Sequence, residues 1–439
     1  MSSNLLAAAC GISFALMAVC ARAQTQSDRG QPADLTRLAA GDILARDAYV
    51  RAVLVINPSI ESARQGWRAA LARVRQAGTF DDPMIDVSMA PLSIGSNARF
   101  GYEVGIRQEL PWFGKRALER DVMSAEAAAS ASDLEAVRRE LAMTALLLYD
   151  QYFVAFRSLE INAQHLELMQ SMRAAAIAQL ESGRGSAHDA LQAEVQLTHL
   201  ERDAAVLEAD RDIARAQMNE LLHRDPATPL PPPVVELATR APPDVQDAKQ
   251  LERDVLARRP EIASARFHAR AQAARAEAAE REYYPTFTLS TSYSSMWDMP
   301  EHRWVVGVGI NVPLPSDRRA GAIDEARAAH AQYESEIARM SDMAKTQVYV
   351  ALRKVQESEH VLRLFDTRLL PIAREQADAS QAGFGASQVA FISVVEAEKN
   401  LRSVELDHKL AQAECDRRHA ELDRALGRIP GLEVEEGKR

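Results

Sequence analysis

Asn57-Pro58-Ser59-Ile60 returns as Arg259-Pro260-Glu261-Ile262, 202 positions later. Outward from that pair the same offset carries Pro83 to Pro285, each just ahead of an alternating stretch. It also carries Leu110-Pro111-Trp112 to Val312-Pro313-Leu314, and Arg116 to Arg318. Four coincidences at one offset, each beside the same kind of segment, point to duplication of a half-molecule. The period is too long for a solenoid unit.

Each half reads in one order: short helix, strand pair, very long helix, shorter returning helix. The first repeat is expected over 24–224, with a helix at 59–77 and strands at 84–91 and 100–110. A long helix at 113–181 and a return helix at 187–223 complete it. Phe100, Tyr102, Val104, Ile106 and Leu110 fall on one strand face, and Gly101, Glu103, Gly105, Arg107 and Glu109 on the other. That period of two gives one apolar and one wet face. The second repeat, 246–427, has strands at 285–295 and 303–312, a long helix at 318–382 and a return helix at 388–426. There Phe287, Leu289 and Tyr293 alternate with Thr288, Ser290 and Ser292, and Trp304, Val306, Val308, Ile310 and Val312 with Gly307, Gly309 and Asn311. Strands of about ten residues suit a tilted membrane wall; hairpins on a soluble core are the alternative.

Leu134, Val137, Leu141, Ala145, Leu148, Tyr152, Ala155 and Leu159 step by three or four, the seam of a coiled coil. A helix over 113–181 would run on the order of 100 Å. Pro371 predicts a kink in its counterpart. The breaks fall at Glu181 to Ser186 and at Gly383 to Ser387. Past them Ala193-Glu194 matches Ala397-Glu398 at an offset of 204. Residues 225–245 form a proline-rich linker, and 428–439 a tail.

Of the 439 residues 47 % are apolar but only 5 % aromatic, the composition of long helices with a minority of strand. Leu5 to Val19 and Ala21-Arg22-Ala23 read as a secretory signal over 1–23. Cys20 follows Met17-Ala18-Val19, a poor lipobox, so a lipidated N-terminus is the weaker reading. Cleavage would leave Cys415 as the only cysteine and exclude an internal disulfide. The formal charge of −10 makes nucleic acid a poor partner. Past the signal no apolar run is long enough for a membrane helix. Four membrane strands cannot close a barrel, and open edges in lipid are costly. The chain therefore has to oligomerise, two copies giving eight strands and three giving twelve.

At this point the chain resembles the TolC family of outer-membrane efflux channels over nearly its whole mature length. The doubled helix–hairpin–helix plan carries the resemblance, with Gln108-Glu109-Leu110-Pro111-Trp112-Phe113-Gly114-Lys115-Arg116 and Val394-Val395-Glu396-Ala397-Glu398. The first motif is most similar to the heavy-metal, Czc/Cus-type branch. The resemblance implies a mainly α fold with a membrane β-barrel: a homotrimer whose twelve-stranded barrel continues as a long α-helical barrel. It implies a passive conduit in the outer membrane, docking at its tips onto a periplasmic adaptor and an inner-membrane pump of RND type. Multidrug or type I secretion channels are the alternatives within the family; a periplasmic coiled-coil adaptor or scaffold is the alternative outside it.

The family's periplasmic constriction is an acidic ring just after the second tip, which maps here to Ser393 and Glu396. Three copies of Glu396 around a narrow pore would favour cations; an exposed helix glutamate is the plainer reading. Asp189 is the first-half counterpart. Gly183, Gly185, Gly383 and Gly385 are expected as turn residues of the tips that meet the adaptor. Trp112, Trp304, Tyr102 and Tyr293 suit an interfacial aromatic belt or plain packing. The ten histidines form no pair at metal-ligand spacing, His188 beside Asp189 being the nearest approach. No catalytic motif or cofactor fingerprint occurs, so neither an enzyme nor a bound cofactor is expected.

Overall fold

The computed structural model describes residues 42–90, 100–183, 185–237, 255–386 and 388–432. The expected signal segment with Cys10 and Cys20, the distal linker, Ser387 at the second tip and the tail beyond 432 lie outside the described residues.

The first repeat opens with α1 (Arg46–Ile56) and α2 (Pro58–Ala77). Asn57 separates them, its side-chain oxygen accepting from Ser59 N at 2.9 Å while Pro58 takes the first helical position, where no donor is needed. Strands β1 (Met84–Ala90) and β2 (Gly101–Leu110) follow. The chain then turns through Gly114, at φ 85, into α3 (Lys115–Glu181), a helix of 67 residues. After the tip, α4 (Ala187–Leu221) returns. The second repeat runs α5 (Pro260–Arg281), β3 (Thr286–Ser294), β4 (Trp304–Asn311), α6 (Asp317–Leu364), α7 (Leu370–Gly385) and α8 (Phe391–Ala425).

In the second repeat's long helix a π-turn at Phe365–Leu369 separates α6 from α7, just before Pro371, where a kink was expected. Leu370 N donates to Phe365 O, five residues back. Pro371 explains the widening: it has no N–H for the carbonyl of Thr367, and its ring crowds that oxygen in an α-helical turn.

The repeats also close alike. Asn57 Nδ2 donates to Leu221 O at 3.0 Å, and Arg259 Nε and Nη2 donate to Ala425 O at 3.1 and 2.9 Å. In each half, the residue before the conserved-spacing proline satisfies the last carbonyl of that half's returning helix, one of the acceptors a helix end leaves open. The two short-range signals of the duplication are thus one long-range contact.

The four strands form a single antiparallel sheet in the order β1-β2-β3-β4. Pairing of Ile106 with Thr291 and of Val104 with Tyr293 joins the two repeats. The register lines up one continuous apolar face: Val87, Val104, Tyr293 and Trp304 in one row, Ile85, Ile106, Thr291 and Val306 in the next. Apart from the half-buried Thr291 and Tyr293 these side chains are exposed, Val306 at 74 % and Ile85 at 66 %.

The main core surrounds the middle of α3. Leu146, Tyr149, Phe153, Tyr49, Val53, Met218 and Leu222 are buried there. Burying one such side chain contributes roughly 1.5–3 kcal/mol. The start of the linker is strapped across this core rather than hanging free. Leu44 bridges to Pro233, Tyr152 Oη donates to Pro231 O at 3.2 Å, and Arg157 Nη2 donates to Pro233 O at 2.7 Å.

Candidate functional site

The two hairpin ends share one core. Met169, Met172, Leu197 and Leu200 from the first hairpin pack with Phe391, Val394 and Val395 from the second, and Phe384 meets Phe391 edge-on at 5.4 Å. Both tips therefore lie at the same end of the molecule, yet they are built differently. At the first, Gly183 has φ 70, and a Cβ on Gly185 would come within 2.9 Å of Gln179 Cβ and Leu180 N. At the second no described residue is left-handed. Gln388 and Val389 both donate to Gly383 O, and a Cβ on Gly383 would strike Val389. Gly385 ends α7 with open space around it.

Asp189 accepts from Ser186 N at 3.3 Å while the Ser186 hydroxyl accepts from His188 N, closing a capping box at the start of α4. His188 meets Gln192 rather than an acid. Glu396 is exposed on α8, with Ser393 half-buried one turn nearer the tip on the same helix face.

Behind Glu396 lies a polar network that sequence reading missed. Glu398 is 2 % exposed and accepts from Gln381 Nε2. The His165 ring lies between two carboxylates, with Nδ1 3.6 Å from Glu398 Oε2 and Nε2 3.1 Å from Glu405 Oε2. Burial pushes the Glu405 carboxyl up, but His165 and Arg374 outweigh it and hold it below the usual range. Arg402 Nη2 spans to Asn162 Oδ1 at 2.7 Å and Asp203 Oδ2 at 2.8 Å. These contacts tie α8 to both helices of the first hairpin. The one sequence signal was the Ala397-Glu398 match to Ala193-Glu194, and it misleads: Glu194 is exposed and pairs with Arg173.

At the far end of the molecule aromatic rings mark both ends of the sheet. Trp112 stacks on Tyr284 at 5.4 Å and Phe287 at 5.8 Å. Tyr293 contacts Tyr102 at 6.1 Å and Trp304 at 5.3 Å. Phe287 and Tyr293 are six residues apart on β3, on the order of 20 Å. Among the described residues no helix is long and apolar enough to cross a membrane.

The model of the family described as outer membrane efflux protein matches residues 50–223 and 251–428. The chain belongs to that family. A structure of CusC, from a study of folding and transmembrane channel formation, has a TM-score of 0.76 at 19 % identity, covering 87 % of this chain and 92 % of that one. The outer membrane protein VceC of Vibrio cholerae gives 0.74 at 16 % identity, covering 87 % and 96 %. The open-state MtrE channel of Neisseria gonorrhoeae gives 0.71 at 18 %, covering 87 % and 89 %. At these identities the likeness is one of fold. The fusaric acid resistance protein FusA of Burkholderia cepacia is 24 % identical over 294 residues, 61 % of this chain and 55 % of that protein. The chain thus spans about half the length of this curated relative.

As an outer membrane efflux protein the chain belongs to the outer membrane and extends into the periplasm. The family acts as passive channels of tripartite systems, with adaptor and pump, rather than as enzymes.

Proposed function

We propose that three copies of this chain close a twelve-stranded barrel continued by a helical tunnel, the outer-membrane exit of a tripartite efflux system. The observation that carries the trimer is the pair of open edges. In one chain β1 and β4 end the sheet with unpaired ladders, which lipid does not tolerate. Helix α4 leaves Val195, Val206 and Ile213 exposed on one side, and α6 leaves Met343, Val350 and Val361 exposed on another. Steps of seven and eleven keep each trio on one helix face. Head-to-tail closure covers every one of these surfaces, and three-fold rotation ends the chain of contacts.

In this reading the tips carrying Gly183, Gly185, Gly383 and Gly385 meet the periplasmic adaptor, beyond which an inner-membrane RND-type pump delivers the cargo. Glu396, with Ser393 beside it, lines the periplasmic constriction; Asp189 serves the first tip mainly as a cap. The cargo assigned is heavy-metal cations, which the Gln108 to Arg116 junction and the Glu396 ring support. The likeness to FusA favours a second reading, an organic acid of the fusaric type.

The detergent-extracted protein is expected as a trimer that conducts in planar bilayers. Recovery only as a soluble monomer defeats the channel reading. Glu396→Ala is expected to lower cation preference or enlarge conductance; unchanged values over a range of pH remove the gate role. Sensitivity of a deletion strain to metal salts or to fusaric acid separates the two cargoes.

A further inference from the structure

The polar face of the sheet differs between the two repeats, and the difference has a direction. Opposite the apolar face, β1 and β2 present Asp86, Glu103, Arg107 and Glu109. The matching face of β3 and β4 carries Thr288, Ser290, Ser292, Gly307 and Gly309, with Val305 the one bulky apolar residue. Asp86 lies 3.4 Å from Arg107 across the ladder, so that guanidinium is neutralised by its neighbour. None of the described ion pairs involves Glu103 or Glu109. Three carboxylates against one guanidinium leave a formal −2 per chain on the β1 and β2 part of this face, and −6 for three chains.

We infer that the strand-borne carboxylates Glu103 and Glu109 form two rings in the barrel lumen that select for cations, a filter separate from the constriction at the tips. This rests on the proposed trimeric barrel. The face assignment itself does not: the row through Val104, Tyr293 and Trp304 carries no charge and must meet lipid, which turns Glu103 and Glu109 inward. The two glutamates are six residues apart, so the rings sit about 20 Å from one another along the strand. Glu109 is level with Thr288, near the strand-to-helix junction, and Glu103 is level with Ser88 and Ser294, toward the other mouth. The small side chains of β3 and β4 fill little of the lumen between them; the nearest cation on that side, Arg303 just before β4, is level with Ser294 and donates its Nε to Trp297 O at 3.0 Å. Fixed charges in such a lumen act over a Debye length, about 10 Å at 0.1 M salt and about 3 Å at 1 M. Selectivity from these rings therefore fades as salt rises.

The test uses the purified full-length protein in planar bilayers under a potassium chloride gradient at low ionic strength. A Glu396→Ala background removes the tip carboxylates from the ion path. Glu103→Gln with Glu109→Gln is expected to lower the potassium-to-chloride permeability ratio severalfold. Arg107→Gln, which frees Asp86, is expected to raise it, and this opposite shift decides the matter if the double variant does not assemble. Channels that conduct with the parental ratio in all variants overturn the inference and leave the channel reading standing. Absence of conducting trimers from the parental protein overturns the channel reading and this inference with it.

Discussion

Glu194 and Glu398 occupy matching places in the two repeats, yet one is solvated and the other nearly sealed. The difference follows from what lies behind α8: His165 and Gln381 supply polar partners that α4 does not need on its open side. A second buried acid, Asp150 on α3, is 5 % exposed beside Asp416 and the Arg46 guanidinium. Burial pushes its carboxyl well above the usual range; Arg46 opposes this, and the like charge of Asp416 adds to it. A carboxyl raised in the folded state contributes stability that is present at low pH and lost as pH climbs above the usual carboxylate range. The melting temperature is therefore expected to fall as pH rises above the usual carboxylate range, and Asp150→Asn to flatten that slope. An unchanged slope in the variant would show that Asp150 is already ionised in the fold. Neither acid could be assigned from sequence, because burial of a helix residue depends on which neighbour arrives, and periodicity names a face but not its partner.

The elements themselves were more legible. Prolines at 58 and 260 begin helices, the alternation of Tyr102, Val104 and Ile106 makes a strand, and Pro371 disturbs a helix, each through backbone constraints local to the residue. The tips were legible only in part. Gly183 is required by its positive φ, and Gly185 by the closeness of the end of α3, whereas Gly385 has neither demand. Gly183→Ala is expected to destabilise the first tip by about 1 kcal/mol, seen as faster hydrogen exchange around residues 180–188. Gly385→Ala is expected to leave the second tip unchanged or slightly steadier, since it removes freedom from the unfolded chain. Equal effects at the two tips would contradict the difference in their construction. At the other end of the hairpins, Arg259→Met leaves Ala425 O without its donors and is expected to cost about 1–3 kcal/mol, read as a lower urea midpoint.

For the whole molecule the decisive quantity is apolar surface left uncovered by one chain. Placing a carboxylate in either open helix edge, as in Ile213→Asp or Val350→Asp, is expected to shift the detergent-extracted protein from trimer toward monomer by light scattering. Combining the two on one chain is expected to weaken the trimer further, because both edges meet in one head-to-tail contact and the two carboxylates would face each other there. Trimers that survive both substitutions would place the protomer contact elsewhere on the helices. The exposed face of the sheet, from Ile85 to Ile310, is not such an edge; in the proposed barrel it meets lipid.

Sequence alone determined the duplication, the four alternating strands and the long helices, and it argued for more than one chain. All of these follow from constraints within a few residues, or from counting strands against what a closed barrel requires. Tertiary structure alone decided that the residues before Pro58 and Pro260 cap the returning helices, that the linker is strapped over α3, and that Glu398 is buried while Glu396 is exposed. It also set the register that puts Glu103 level with Ser294 and brings Asp86 opposite Gly105, on the same face as Glu103, Arg107 and Glu109. Contacts between residues far apart in the chain depend on how whole helices and strands dock, and a pattern of period two or 3.6 fixes orientation without fixing the neighbour.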